Sequence, residues 1–546
     1  MTHKVIVYLK KISDPLSDFL SIDISSRQMK KHLRNIRSSF SKCTSGIILV
    51  EYEHPPDSLI GLSQFLPILQ QQMNSGTRSY WFTNKTKISK YSRNFRYYFS
   101  VSRHLLGKKV HIMAFRVQKD RLCSINQSEF QTKNELLSYT YKGIHIGDLI
   151  YDRYLVEFHS HTVDMRDPNL EKIRTQFEYY VDEFSSLLNS SKVTAICVTH
   201  TVYQYGIAAR LGISRAIPVF FVSAHKIFRI NSNYPQIFTD EKEFPSQFAT
   251  LEDETKKMGI AIAKNRLQAR FQGFVGPDLP YMTTSAFNSN SIIHKRREKT
   301  DNQNIRILVA MHDFYDSPHV FGTHFYPDFY EWLIALARIS TQTNYQWLIK
   351  THPFVRGNGR KVLSEFVQQN ENFELLPIEI THNELLNSGI DYALTVYGTI
   401  AMEYAALGVS VINATRNNPH VNYNFSFTPR DVAEYEKILL DLNSFRFEPV
   451  IDDVYKFYFM KHVLHKETWV YLSYEKYLLD TDIGSLKRRS YSYFLNGQNV
   501  SNVSENQVAI REFLQSTDIR LSPWHYSSFS EKELRISLKQ EINIPN

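Results

Sequence analysis

Short apolar runs and helical patterns alternate along the first half of the chain. Residues 46–52 form an apolar run, and a polar loop and a helical pattern over 57–71 follow it. This order predicts a strand, a loop and a helix. A second unit of the same kind begins at 193–198, continues into a helix that ends near Gly212, and returns to an apolar run at 217–222. The first half is therefore expected to be built from strand–helix units.

The same alternation restarts after a change in composition. Residues 286–304 lose their apolar content and become Ser/Asn-rich and then charged, which is typical of a surface linker. Beyond the linker, the pattern predicts strands at 305–311, 345–349, 392–396 and 409–412, and helices at 329–339, 361–369 and 400–407. Such alternation predicts a parallel sheet with helices on both faces. We therefore expect an α/β protein with two Rossmann-like, doubly wound domains.

The expected domain boundaries follow the linker and the end of the alternating pattern. We predict an N-terminal domain over 1–290, a C-terminal domain over 305–480 and a polar, helical extension over 481–546. Residues 455–479 are helical and aromatic in pattern, whereas the last sixty or so residues carry few periodic signals. No internal repeat of fixed period is visible.

Length and composition support two domains in a reducing compartment. The chain has 546 residues, of which 42% are hydrophobic and 22% charged, and this is too long for one core. No run of about eighteen apolar residues and no signal peptide pattern occurs, so we expect a cytoplasmic protein. The three cysteines, Cys43, Cys123 and Cys197, are too widely spaced for a disulfide framework or a zinc site.

The net charge of +9, together with 33 Tyr and 36 Phe, favours an anionic partner. A nucleotide, an acidic glycan or the inner face of an anionic membrane would fit, the last as a peripheral contact. Nucleic acid is not expected as a partner, because the densest basic run is only His294-Lys295-Arg296-Arg297.

Polar residues directly after predicted strands are the first candidates for a site, because ligands of open α/β sheets bind at the carboxyl ends of the strands. The candidates after the first two strands of the second sheet are His312, Asp313, Ser317, His319, Lys350, His352 and Pro353. These loops would converge on one edge of one sheet. Taken alone, His352 would be read first as a loop histidine held by a backbone carbonyl.

A third loop, Tyr397-Gly398-Thr399, opens a predicted helix. Backbone N–H groups at a helix start bind phosphate, and Thr399 adds a hydroxyl donor. Glu403, one turn into the helix, could accept hydrogen bonds from both hydroxyls of a ribose. The alternative is local, with Thr399 as a helix cap and Gly398 as a turn residue.

A fourth loop, in the first half, contains His200. A histidine suits a general base for an acceptor hydroxyl, because its ordinary pKa lies near working pH. A structural histidine that bonds the loop backbone is the alternative. His312, Asp313 and His319 have the side chains of a divalent metal site, but we expect neither a metal site nor a cofactor.

These motifs resemble those of bacterial glycosyltransferases that build capsules and other surface polysaccharides. Lys350-Thr351-His352-Pro353 resembles the K-x-H-P element of this group, and Tyr397-Gly398-Thr399 with Glu403 and Gly408 resembles its second nucleotide element. The segments 147–152, 200–203 and 312–319 are also similar. The group has the GT-B fold, in which two Rossmann-like domains face each other across a cleft, and is related to transferases that use CMP-activated sugars such as Kdo.

The resemblance implies that the C-terminal domain binds a nucleotide-sugar donor, for which a CMP-sugar is favoured. The acceptor would be a surface-polysaccharide or lipid-linked glycan, as in capsule or lipopolysaccharide biosynthesis, and would enter from the N-terminal domain. His200 is the first choice of base for an inverting displacement, and Asp148 or Asp152 is the second. The alternatives are a nucleotide-sugar 2-epimerase of the same fold and a non-catalytic glycan-binding or scaffold protein.

Overall fold

The structure is a computed structural model of the chain. It describes residues 24–38, 40, 45–52, 56–83, 93–107, 110–115, 130–237, 239–274, 286–287, 304–315, 317–351, 357–465, 490–492, 494–496 and 500–542. The predicted site residues His352 and Pro353 lie outside the described residues. In the described part of the chain, no helix is both long enough and apolar enough to cross a lipid bilayer.

The first sheet has six strands in the order β3-β2-β1-β6-β7-β8. The first eight strands, of which β4 and β5 form a separate hairpin, are β1 (Ile47–Glu51), β2 (Gly76–Thr83), β3 (Val110–Ala114), β4 (Thr140–Tyr141), β5 (Ile144–His145), β6 (Val193–Val198), β7 (Val219–Val222) and β8 (Ile227–Ile230). All neighbours in the sheet are parallel except the pair β7 and β8. The strands predicted at 46–52, 193–198 and 217–222 are confirmed.

The second sheet has five parallel strands in the order β11-β10-β9-β12-β13. They are β9 (Arg306–Ala310), β10 (Gln346–Lys350), β11 (Phe373–Leu375), β12 (Tyr392–Thr395) and β13 (Ser410–Asn413). In both sheets the first strand of the sequence has the next two on one side and the later strands on the other, three in the first sheet and two in the second. This shared doubly wound order confirms the expected GT-B fold class.

Helices cover both sheets. In the first half they are α1 (24–38), α2 (Pro56–Met73), α3 (Arg93–Leu106), α4 (Lys133–Leu137), α5 (Gly147–Phe158), α6 (Pro168–Asn189) and α7 (Tyr205–Ser214). The later ones are α8 (Phe244–Thr250), α9 (Asp253–Phe271), α10 (Phe329–Ser340), α11 (Gly359–Gln369), α12 (His382–Asn387), α13 (Ile400–Ala406), α14 (Val432–Leu440), α15 (Ile451–Tyr458), α16 (Val500–Gln515) and α17 (Glu531–Ile542). A π-helix, Phe459–Leu464, extends α15. The helices predicted at 57–71, 329–339, 361–369 and 400–407 are confirmed.

Hydrophobic packing crosses the expected domain boundaries, which stay predictions. Although α8 and α9 precede the linker, Phe244 of α8 and Ile262 of α9 are buried in the same core cluster as Leu308 of the second sheet. In the opposite direction, Ile510 and Phe513 of α16 are buried in the core of the first sheet. The chain therefore crosses between the two cores more than once.

The residues after α16 extend the first sheet at its β8 edge. The Arg229 N–H donates to the Ile519 carbonyl at 2.7 Å, and the Leu521 N–H donates to the Ile227 carbonyl at 3.1 Å. The following helix α17 packs on α9, where Arg535 forms an ion pair with Glu252 at 2.5 Å. The C-terminal extension is thus structurally part of both halves.

Candidate functional site

The two halves meet where the loop after β9 packs against helix α5. Asp152 of α5 and His319 of the loop face each other across this contact, with 2.6 Å between Oδ1 and Nδ1. The His319 backbone N–H also approaches Asp152 Oδ2, at 3.4 Å. Both side chains are 1% exposed. A carboxylate from the first half and an imidazole from the second half therefore form one buried pair.

The charge state of His319 is set by two opposing effects. Burial lowers its pKa, but the Asp152 carboxylate outweighs burial and raises the pKa above the ordinary value. Among the residues that the structure describes, none is a hydrogen-bond partner of the buried Nε2 atom. With Nδ1–H donating to Asp152, the neutral imidazole carries its lone pair on Nε2. An imidazole oriented in this way by a carboxylate can take up and release a proton.

Polar contacts around Asp328 hold the same interface. Its carboxylate accepts hydrogen bonds from the hydroxyls of Tyr151 and, at 2.6 Å, Thr162, both in the first half. It also accepts from two backbone N–H groups at the start of α10. Lys133 of the first half forms an ion pair with Glu331 of α10 at 2.5 Å. These contacts fix α10 and the loop after β9 against α5.

Several of the predicted donor-binding residues lie together at the carboxyl end of the second sheet. His312 Nε2 is 3.2 Å from Thr395 Oγ1, and the Gly398 N–H donates to the same oxygen at 3.1 Å. The Tyr397 ring lies 4.6 Å from the His312 ring, and His312 stacks on Phe329. The loops after β9 and β12 therefore converge, as expected from the strand pattern.

His324, which the strand pattern does not single out, joins this cluster to the Asp152–His319 pair. Its ring stacks on His319 at 5.8 Å and lies 5.3 Å from the Tyr397 ring. Burial and the neighbouring His319 lower the pKa of His324 to about 3, so this imidazole is neutral. His324 and Asp328 both lie many residues after the end of β9, so the expectation that site residues directly follow strands does not include them.

Asp313 and Ser317 are buried within the loop after β9. Asp313 Oδ1 accepts the Tyr315 N–H at 3.3 Å, and the Ser317 carbonyl accepts the Tyr397 hydroxyl at 3.4 Å. Within the described residues, no three His, Cys, Asp or Glu side chains are arranged to hold a metal ion. The expected metal independence stays a prediction.

The remaining predicted donor-binding residues have structural contacts. Glu403 is buried and forms an ion pair with Arg270 of α9, which leaves a ribose in competition with a guanidinium for this carboxylate. Lys350 Nζ donates to the Ile380 carbonyl at 2.7 Å, and burial lowers the pKa of Lys350. Thr399 precedes α13, and its hydroxyl makes no cap bond to any described backbone N–H. Nucleotide binding by these residues stays a prediction.

Two of the three predicted catalytic residues have geometries that do not suit a general base. His200 Nδ1 accepts the N–H groups of Thr201 at 3.0 Å and Val202 at 3.3 Å, so Nε2 carries the proton of the neutral ring. Both Asp148 oxygens accept hydrogen bonds from Arg210 at 2.6 Å. Burial raises the pKa of Asp148, but Arg210 outweighs it and lowers the pKa to about 2. The geometry of the Asp152–His319 pair therefore suits proton transfer better than that of His200 or Asp148, and the catalytic roles of His200, Asp148 and Asp152 stay predictions.

The Asp148–Arg210 pair leads to a stability prediction. We expect Asp148→Asn to lower the free energy of unfolding by about 2–3 kcal/mol at neutral pH, because a guanidinium loses its buried counter-charge. The carboxylate contributes fully above its unfolded pKa of about 3.9. That contribution is lost as pH falls toward about 2, the folded pKa.

Urea unfolding at pH 7 and at pH 3 measures this difference. The difference in the free energy of unfolding between wild type and Asp148→Asn should be smaller at pH 3 than at pH 7. Asp182→Asn is the matched control, because its ion pair with Lys142 is largely exposed and should contribute little. Equal unfolding midpoints for wild type and Asp148→Asn at pH 7 would contradict the prediction.

Comparisons with known proteins give the chain no family. Its sequence matches no protein-family model and no curated protein. Aligned solved structures include UDP-GlcNAc 2-epimerase from Neisseria meningitidis bound to UDP-GlcNAc, with 10% identity, 75% of this chain and 97% of that chain covered, and a TM-score of 0.21. The wall teichoic acid polymerase TagF aligns at 10% identity over 93% of this chain and 99% of its own, with a TM-score of 0.18. These similarities are too low to indicate an activity, and the fold class rests on the strand order of the two sheets.

Proposed function

We propose that the chain is a glycosyltransferase that moves a sugar from a nucleotide-sugar donor to a surface-polysaccharide or lipid-linked glycan acceptor. The observation that carries the proposal is the buried Asp152–His319 pair, which joins the two halves and leaves Nε2 without a partner among the described residues. The motif resemblance favours a CMP-sugar as donor. His319 is the proposed general base, and Asp152 orients it.

In the proposed inverting reaction, His319 Nε2 takes the proton of an acceptor hydroxyl as that oxygen attacks the anomeric carbon of the donor. The bond between the sugar and the nucleotide phosphate breaks, and the nucleotide leaves with the bonding electrons. The Asp152 carboxylate stabilises the imidazolium that forms. The same interaction raises the pKa of His319, so this imidazole is a stronger base than a free histidine.

The proposed donor site lies beside this base, at the carboxyl end of the second sheet. His312 and Tyr397, beside the turn at Gly398, are the side chains assigned to the donor phosphate, whose negative charge grows as the nucleotide leaves. A side chain at Gly398 would bring a Cβ within 2.8 Å of Thr395 Oγ1, so the turn is held close to the strand end. His352 and Pro353 stay predicted members of this site.

Substrate access requires the two halves to move apart, because His319 is almost fully buried in this arrangement. The contacts that would have to break include the polar ones of Asp152 with His319, Asp328 with Tyr151 and Thr162, and Lys133 with Glu331, and the ring contacts of His161 with Phe314 and Tyr330. Closure around a bound donor and acceptor would exclude water from the reaction, a common use of domain movement in enzymes.

A nucleotide-sugar 2-epimerase is the second candidate, and the same observation favours it. A buried imidazole with an orienting carboxylate can also remove a proton from a sugar carbon. An epimerase needs only the nucleotide sugar, whereas a transferase also needs an acceptor.

The experiment that tests the proposed function compares the full chain with and without an acceptor. CMP, CDP, UDP and GDP are first screened by thermal shift, because a ligand of the folded state raises the melting temperature. The protein is then incubated with a nucleotide sugar that contains the stabilising nucleotide, once without an acceptor and once with a lipid-linked glycan. Acceptor-dependent nucleotide release supports the transferase, and sugar isomerisation without acceptor supports the epimerase. If no nucleotide stabilises the chain and no sugar changes, both proposals fail.

We expect the activity to survive chelation. Histidine and tyrosine side chains at the proposed donor site can stabilise phosphate charge in place of a metal. Nucleotide release should therefore be the same with excess EDTA and with added Mg²⁺. Loss of activity in EDTA that Mg²⁺ or Mn²⁺ restores would contradict this and would point to His312, Asp313 and His319 as ligands.

A further inference from the structure

A cavity of about 530 Å³ is lined by residues other than those of the Asp152–His319 pair. It is formed by the segment after β8, helix α8, the end of the π-helix and residues 517–524 of the C-terminal extension. Its volume is within the range of protein sites for small ligands. The proposed transferase reaction uses none of the residues that line it.

An exposed tryptophan stands at this cavity. The Trp524 side chain is 40% exposed, whereas Trp81, Trp332 and Trp347, the other described tryptophans, are at most 3% exposed. Its ring lies 5.4 Å from His465 and 6.0 Å from Phe529, so these neighbours hold the indole in place. A fixed, exposed indole offers a flat apolar face with a polar N–H, which suits the C–H face of a sugar ring.

The other walls carry hydrogen-bonding groups of both kinds. His465 donates from Nε2 to Gln247 Oε1 at 2.9 Å. Its Nδ1 is buried with no hydrogen-bond partner in the described part of the chain. Glu243, whose carboxylate accepts the Tyr234 hydroxyl at 2.7 Å, and the hydroxyl of Ser246 also line the cavity. Sugar hydroxyls both donate and accept, and they can match such a mixed lining.

The charges around the cavity argue against an anionic ligand. Asp240 is held between Lys226 at 2.9 Å and Arg520 at 2.5 Å, so these cations already have a counter-charge. The other carboxylates of the lining, Glu243 and Asp518, add negative charge. A phosphate or an acidic sugar would meet repulsion here, and a neutral ligand would not.

We propose that this cavity is a second ligand site, which binds a neutral saccharide against the Trp524 indole. The inference does not rest on the proposed transferase, because it uses different residues and requires no reaction. The site lies where segments of both halves and the C-terminal extension meet, so a bound saccharide would contact all three.

Titration of the full chain with neutral trisaccharides tests the proposal through tryptophan fluorescence. The probes are maltotriose, cellotriose and triacetylchitotriose, each at up to about 10 mM, which is above a millimolar dissociation constant. Inorganic phosphate is the anionic comparison. We expect at least one trisaccharide to change the Trp524 emission in a saturable way. No saturable binding of any neutral probe, or binding of phosphate that Trp524→Ala weakens, would overturn the proposal.

Two pairs of variants separate the cavity from the rest of the molecule, with affinity measured by calorimetry. Trp524→Ala should weaken saccharide binding by about tenfold or more. Phe274→Ala, which removes an exposed aromatic ring elsewhere, should not change it. Ser246→Trp should fill the cavity from the exposed face of α8 and block binding, while Ala249→Trp, at an exposed position of the same helix outside the lining, should leave binding unchanged. Equal affinities across these four variants would overturn the proposal even if a saccharide binds.

Discussion

Replacing His319 with alanine is expected to lower turnover by roughly a hundredfold to ten-thousandfold, the usual contribution of a positioned acid–base group. The acceptor hydroxyl would lose the Nε2 atom that takes its proton, whereas the nucleotide would keep its contacts at the end of the second sheet. Nucleotide affinity should therefore change little. Initial rates at saturating donor and acceptor, together with a nucleotide titration, measure the two quantities.

The pH profile distinguishes a base from a structural histidine. Turnover of the wild type should rise with pH as Nε2 loses its proton, through a pKa above the ordinary value of about 6.5 because Asp152 stabilises the imidazolium. Asp152→Asn removes that carboxylate, so the rise should move to lower pH while turnover falls. If the pair were purely structural, Asp152→Asn would lower only the melting temperature and would not shift the pH profile of turnover.

His225→Ala is the control for this experiment. His225 is a partly exposed histidine of the first half, near Asp57, and has no role in the proposed reaction. Its loss should leave turnover and the pH profile unchanged. If His319→Ala behaves like His225→Ala at neutral pH, His319 is not the base.

Gly147→Ala is expected to lower the free energy of unfolding by more than about 3 kcal/mol, at or beyond the upper end of overpacking effects. Gly147 is the first residue of α5. A Cβ there would lie 1.9 Å from the Leu136 carbonyl oxygen and 2.8 Å from that of Leu137. These atoms belong to the backbone of α4, so the two helices would have to move apart. Because α5 carries Asp152, the surviving folded protein should also lose turnover.

Gly76→Ala is the matched control, because none of the described atoms lies within 4 Å of a Cβ built at that position. Its unfolding midpoint in urea should stay close to that of the wild type. If Gly147→Ala unfolds at the same midpoint as Gly76→Ala, the close packing of α4 against α5 is not rigid, and the position of Asp152 is less constrained than proposed.

The sequence predicts the edge of the second sheet well because strands are local features. Apolar runs place the ends of β9 and β12, and the carboxyl ends of parallel strands must meet at one edge. The strand pattern therefore predicts that His312, Tyr397 and Gly398 lie at this edge. The contact between Asp152 and His319 is different, because 167 positions separate them and only the meeting of two separate sheets joins them.

The sequence pattern does not reveal the neighbours on which the choice of a base depends. The bonds to His200 Nδ1 arise from the local turn of its own backbone. Arg210, the partner of Asp148, lies on another helix. Likewise, the helical extension was expected, but the packing of α16 on the first sheet was not, because its few apolar residues meet a core formed by the beginning of the chain.

The return of the C-terminal extension to the first sheet affects how the protein is made. A ribosome adds about 5–20 residues per second, so the strands of the first sheet leave it well before α16 is synthesised. Until then, the core surface that Ile510 and Phe513 cover is exposed in the cell for tens of seconds. The nascent chain must stay soluble during this delay, and a fragment that stops before residue 500 would expose the same surface permanently. Such a fragment should aggregate unless residues 500–542 are supplied as a separate peptide.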